Sequence, residues 1–202
     1  MTVPPEERRR PVPVTETLRR AVRPLVRLLV SLRVSPDALT TLGWVFAAAA
    51  AGLFGAGYVK TAGAVVLLGG LFDTLDGDVA RESNLTSAFG AFLDSTLDRL
   101  SEAAVFVGII FLYASTGRPY ETLLAGAAVS FSLMTSYTRA RAEGLGYECE
   151  VGVLGRAGRV LILGVSSLFG FLTLGVGLVA AGAFVTTLQR MVHVQRAARR
   201  QR

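Results

Sequence analysis

Four aspartates stand at spacings that pair them on helix faces. The stretch Asp73-Thr74-Leu75-Asp76-Gly77-Asp78-Val79-Ala80-Arg81 is followed, after eight residues, by Gly90-Ala91-Phe92-Leu93-Asp94-Ser95-Thr96-Leu97-Asp98-Arg99. On a helix, residues three or four apart are neighbours, so Asp73 sits with Asp76 and Asp94 with Asp98. Gly77, Ala80 and Arg81 continue the first face. A short link around 82–86 makes the two helices antiparallel and brings the four carboxylates together near one end. Carboxylates that close repel, and two divalent cations remove the conflict. Oxygen ligands without His or Cys suit Mg2+ or Mn2+. Two such ions can stabilise a displacement at phosphorus by neutralising the attacking and leaving oxygens. Gly77, Ala80 and Gly90 are small where a nucleotide would approach the backbone, and Arg81 could hold a phosphate oxygen. The competing reading is interhelical glue, with the acids paired to Arg81 or Arg99. Four acids against two arginines leave an excess of negative charge that glue does not require. Asp78 points off the shared face and reads as a surface residue.

The elements that must position these groups read as membrane helices. The chain has 202 residues, 51% of them hydrophobic, and a mean hydropathy of +0.50. The bilayer is the solvent that such a composition suits. Six apolar stretches approach the roughly 20 residues that a spanning helix needs. They fall at about 37–57, 60–81, 87–114, 120–141, 156–174 and 176–196. Ser35-Pro36-Asp37 is a helix-start signal for the first. Before it, residues 15–34 alternate Leu18, Val22, Leu25, Leu28 and Leu29 with Arg19, Arg20, Arg23 and Arg27. That pattern predicts an amphipathic juxtamembrane helix on the membrane surface. Residues 1–14, with four prolines and Arg8-Arg9-Arg10, read as a disordered N-terminal arm. The fold class expected is all-α integral membrane, with residues 35–198 forming one six-helix domain.

Charge sets the orientation. The formal net charge is +6, from 21 Lys and Arg against 15 Asp and Glu. With six spans, 19 of the cations fall on the side of the two termini, and only Lys60 and Arg118 on the other. The positive-inside rule then makes both termini and the aspartates cytoplasmic, in the plasma membrane. Basic arms flanking this much apolar sequence suit an anionic lipid surface and not nucleic acid. Cys149 is alone, so neither an intramolecular disulfide nor a Cys-based metal site is expected. The chain shows no internal repeat, the mark of many transporters.

The eight positions Asp73, Asp76, Gly77, Ala80, Arg81, Gly90, Asp94 and Asp98 match the signature of the CDP-alcohol phosphotransferase family, which the chain resembles from Ser35 to its basic tail. The resemblance implies a six-helix homodimer with an N-terminal surface helix. It implies that Asp73, Asp76, Asp94 and Asp98 ligate metal, and that Asp98 is also the base that deprotonates the acceptor hydroxyl. Gly77, Ala80, Arg81 and Gly90 would line the CDP pocket, with Asp37 and Thr40 approaching the cytidine. The donor would be a CDP-lipid, CDP-diacylglycerol or CDP-archaeol.

The acceptor must be read from other residues. Ser136-Tyr137-Thr138-Arg139-Ala140-Arg141-Ala142-Glu143, followed by Arg156 and Arg159, resembles the branch of the family that uses inositol phosphate. Arginine forks match the oxygens of a dianionic phosphate. The resemblance assigns Ser136, Arg139, Arg141, Arg156 and Arg159 to that phosphate, together with one tail arginine. Arg199 is the first choice for the tail position, with Arg190 and Arg196 as substitutes. The rivals are a synthase using glycerol 3-phosphate and, in a different class, a transporter built on intramembrane carboxylates.

Overall fold

The computed structural model describes residues 23–83 and 85–200. Every regular element among them is helical. Helix α1, described over residues 23–31, precedes α2 (Pro36–Gly55), α3 (Val59–Glu82), α4 (Ala88–Ser115), α5 (Pro119–Glu143), α6 (Arg156–Leu168) and α7 (Leu172–Arg200). The expected arm at 1–14 and the first turns of the expected surface helix lie outside the described residues.

The start of α2 follows its sequence signal. The Ser35 hydroxyl accepts from the Ala38 N–H, Pro36 opens the helix and Asp37 lies in its positive first turn. Helix α4 starts in the same way, with the Ser87 hydroxyl accepting from the Gly90 N–H at 2.9 Å. The expected boundary between the last two helices at 174–176 is wrong. Helix α6 stops at Leu168, because Gly170 takes a left-handed φ of 83° and turns the chain. At 13 residues α6 is about 20 Å long, shorter than the hydrocarbon core of a bilayer.

Helix α2 packs between α3 and α4, α5 against α4 and α7, and α6 against α3 and α7. Small residues set the closest approaches. A Cβ on Gly63 would lie 2.7 Å from the Gly164 carbonyl oxygen, and one on Gly108 would collide with the backbone of Ala51. The main apolar core fills the half of the bundle away from the aspartates, with Phe54, Phe106, Ile109, Tyr113, Val176 and Val179 buried. A smaller cluster of Val26, Leu39, Leu75 and Val79 lies at the aspartate end. It fastens α1 to α2 and α3, so one face of α1 packs on protein. Leu25 and Leu28 form its exposed apolar side, which Leu32 continues in the turn that follows.

Helices α2 and α7 are long and apolar enough to cross a membrane. Large apolar side chains also stand exposed on other helices, among them Phe89, Phe92, Val107, Phe111, Leu123 and Leu161. An apolar outer surface of that extent suits lipid and not water.

Candidate active site

The aspartates converge as their spacing requires. Asp73, Asp76 and Asp94 each bring a carboxylate oxygen within 4.8 Å of the other two. These are hard oxygen donors from two antiparallel helices, and the group fits a divalent cation. Asp76 is buried, and the Thr40 hydroxyl donates to its Oδ2 at 2.6 Å. Thr40, expected at the cytidine, therefore stands behind a carboxylate of the cluster.

Asp98 is not one of that trio but stands beside two of its members, Asp73 and Asp94. Arg156 Nη2 is 2.9 Å from Asp98 Oδ1, and Arg156 Nη1 also pairs with Asp73. Arg156 thus links one carboxylate of the trio to the fourth aspartate. The glue reading named the wrong arginines. Arg81 pairs with Asp78 at 2.5 Å within its own helix, and the Arg99 side chain donates to the Ser95 carbonyl. The interhelical cation comes from α6, and only the packing of α6 on α3 reveals it. Arg81, expected to hold a phosphate oxygen, here turns to Asp78, which is half-buried and not the surface residue its position suggested.

The expected nucleotide pocket is partly visible. A Cβ on Gly77 would lie 3.5 Å from the Arg81 guanidinium, and one on Gly90 would lie 3.4 Å from Asp37 Oδ1 and 3.0 Å from Ser87 Oγ. Asp37, Gly90, Gly77 and Arg81 therefore come from three helices that meet at the aspartate end. Ala80 is half-buried one turn below Asp76.

A polar basin of about 390 Å³ opens beside Asp94 and Asp98, within the size range of small-molecule sites. Ser136 and Arg139 reach it from α5, Arg156 and Arg159 from α6, and Arg190 from α7. Arg159 is almost wholly buried. Its Nε and Nη2 fork onto Glu102 Oε1 and Oε2 at 2.6 and 2.8 Å, and Nη2 lies 3.5 Å from Ser136 Oγ. Arg139 pairs with Glu143 at 2.8 Å and approaches Glu150 at 3.8 Å.

Two expected phosphate ligands do not line the basin. Arg141 is exposed on the last turn of α5, and Arg199 is exposed in the last turn of α7, more than two turns beyond the basin. Of the tail arginines considered, Arg190 is the one that lines the basin. It is buried, and it donates to the Val151 carbonyl at 2.9 Å and to the Thr135 carbonyl. The 144–155 loop explains this placement. Val153 N–H donates to Gln189 Oε1 and Leu154 N–H to Thr186 Oγ1, both at 3.0 Å, so the loop is stitched to α7 directly before it starts α6.

Glu102 escaped the sequence reading altogether. The signal was present: an acid one turn after Asp98, on the same helix face, inside an apolar stretch.

The chain resembles known proteins in both sequence and fold. The sequence model of the CDP-alcohol phosphatidyltransferase family matches residues 33–192. The archaetidylinositol phosphate synthase of Methanothermobacter thermautotrophicus is 37% identical over 193 residues, covering 90% of this chain and 96% of the relative. The crystal structure of Mycobacterium tuberculosis phosphatidylinositol phosphate synthase with CDP-DAG bound superposes with a TM-score of 0.78 at 31% identity, covering 87% of this chain and 94% of that one. The same enzyme in complex with manganese and citrate gives a TM-score of 0.76 at 34% identity, covering 85% and 88%. With its eight signature positions gathered at one end of a matching helical bundle, the chain belongs to the CDP-alcohol phosphatidyltransferase family.

Proposed function

We propose that this enzyme transfers a phosphatidyl-type group from a CDP-lipid to inositol phosphate, releasing CMP and forming a phosphatidylinositol-phosphate-type lipid. The observation that carries the acceptor assignment is the basin beside Asp98. Five basic and hydroxyl side chains predicted or substituted for phosphate binding (Ser136, Arg139, Arg156, Arg159 and Arg190) meet there. Among the described residues Arg190 donates to carbonyl oxygens and makes no direct ion pair with a carboxylate. It is the cation best able to anchor a phosphate.

The acceptor oxygen bonds to the lipid-side phosphorus, and the bond from that phosphorus to the CMP oxygen breaks. Asp98 accepts the acceptor's hydroxyl proton, a role its place on the basin wall supports. Asp73, Asp76 and Asp94 would hold two divalent ions, Mg2+ or Mn2+, with Asp98 as a further ligand. When bound, the metal neutralises charge on the attacking and leaving oxygens. Asp37, Thr40, Gly77, Ala80, Arg81 and Gly90 form the CDP side. The donor is CDP-diacylglycerol, which the solved relative binds, or CDP-archaeol.

The bundle crosses the plasma membrane six times, with the active site and termini cytoplasmic. The exposed Phe169 and Phe171 flank the turn at Gly170 that ends the short α6. The enzyme works as a homodimer.

The decisive assay is turnover of CDP-diacylglycerol by the purified protein with Mg2+ or Mn2+, offering inositol 1-phosphate or glycerol 3-phosphate. Inositol phosphate should be consumed at least tenfold faster, and Asp98→Asn should abolish turnover while CDP binding survives. Preference for glycerol 3-phosphate would sink the acceptor reading, and near-normal turnover by the variant would sink the base.

A further inference from the structure

Helices α4 and α6 do not pack closely against one another. Two ion pairs cross the space between them: Arg156 to Asp98, and Arg159 to Glu102. Asp98 and Glu102 are one turn apart on α4, and Arg156 and Arg159 are one turn apart on α6. The result is a ladder with two rungs. It stands between the polar basin and an apolar cavity lined by Trp44, Val66, Val105 and Leu163, and all four rung residues border both spaces.

We propose that Glu102 is the positioning residue of the acceptor site. It holds the Arg159 guanidinium in one orientation on the basin wall and thereby sets acceptor affinity. This rests on the assignment of the basin to a phosphate-bearing acceptor.

The chemistry of the pair supports the role. A guanidinium carries five donors in a rigid plane, and the fork onto Glu102 occupies Nε and one face of Nη2. The outer edge of the plane stays aimed at Ser136 and the basin. Side-chain exposures of 2% and 8% show that the pair is withdrawn from solvent, where a broken fork leaves a buried charge unpaired. A long arginine without that partner would swing among rotamers, and the phosphate would have to order it on binding. The pair also stands one turn below the proposed base, so a fixed Arg159 fixes the acceptor's distance from Asp98.

The test uses the full-length protein in lipid nanodiscs, with Glu102→Gln and Glu102→Asp. Gln keeps the shape and removes the charge. Asp keeps the charge on a stem one carbon shorter. Glu102→Gln should raise the inositol 1-phosphate KM at least tenfold, while the CDP-diacylglycerol KM changes less than twofold. Glu102→Asp should fall between Gln and wild type. Equal rises in both KM values, or an acceptor KM within twofold of wild type, would overturn the proposal. Should Glu102→Gln fail to fold, Glu102→Asp decides alone: a selective rise supports positioning, and an unchanged acceptor KM rejects it. Failure of the acceptor assignment itself looks different, because wild-type protein would then not turn over inositol 1-phosphate.

Discussion

At the scale of single residues, the aspartate cluster depends on partners that no helix-face argument supplies. Asp76 is buried, and Thr40 from a different helix donates to it at 2.6 Å. Hydrogen bonds to a ligating carboxylate fix its orientation, and their loss commonly lowers metal affinity roughly tenfold or more. Thr40→Val should therefore weaken Mn2+ binding by about tenfold, read by manganese titration of the purified protein. Unchanged affinity would return Thr40 to the nucleotide side, where family resemblance places it. Spacing alone identified the four aspartates, because residues three and four apart share a helix face whatever the fold. It could not identify Arg156 as their cation or Glu102 as the partner of Arg159, since those contacts join α6 to α3 and α4.

At the scale of elements, the junction between α1 and α2 carries visible strain. Val34 N–H donates to the Leu29 carbonyl and Arg33 N–H to the Val30 carbonyl, the pattern that closes a helix through a left-handed residue. That residue is Arg33, with φ 54°, where glycine is the usual occupant. A non-glycine residue held there costs about 1 kcal/mol or more. Arg33→Gly should raise the thermal melting midpoint in detergent by a few degrees; a lower midpoint would show that the arginine side chain contributes more than its backbone costs. The α6–α7 turn shows the limit of reading elements from sequence. Apolar residues run on through Phe169 and Phe171, so periodicity continued the helix, and the left-handed turn at Gly170 ended it.

At the scale of the whole molecule, charge asymmetry argues for one orientation. The aspartate end also carries the 144–155 loop and the basic end of α7, and the opposite end carries Lys60 and Arg118. Cys149 is buried, so engineered thiols can report topology without interference. In intact cells, Tyr58→Cys should react with a membrane-impermeant maleimide, and Leu145→Cys should react only after permeabilisation. Both native positions are exposed, so the reverse pattern would invert the proposed orientation.

The sequence by itself determined the chemistry. Spacing puts Asp73 with Asp76 and Asp94 with Asp98 on helix faces whatever the fold, and the apolar composition alone calls for a helical bundle with an apolar exterior. Tertiary structure decided everything that joins separate helices. It chose Arg190 over Arg199 for the basin, because the 144–155 loop is stitched to α7 at Thr186, Gln189 and Arg190. It turned Arg81 toward Asp78 and brought Arg156 to Asp73 and Asp98. Local spacing carries contacts within a helix. Contacts between helices follow from which faces pack and how closely, and here glycines such as Gly63 and Gly108 set that approach.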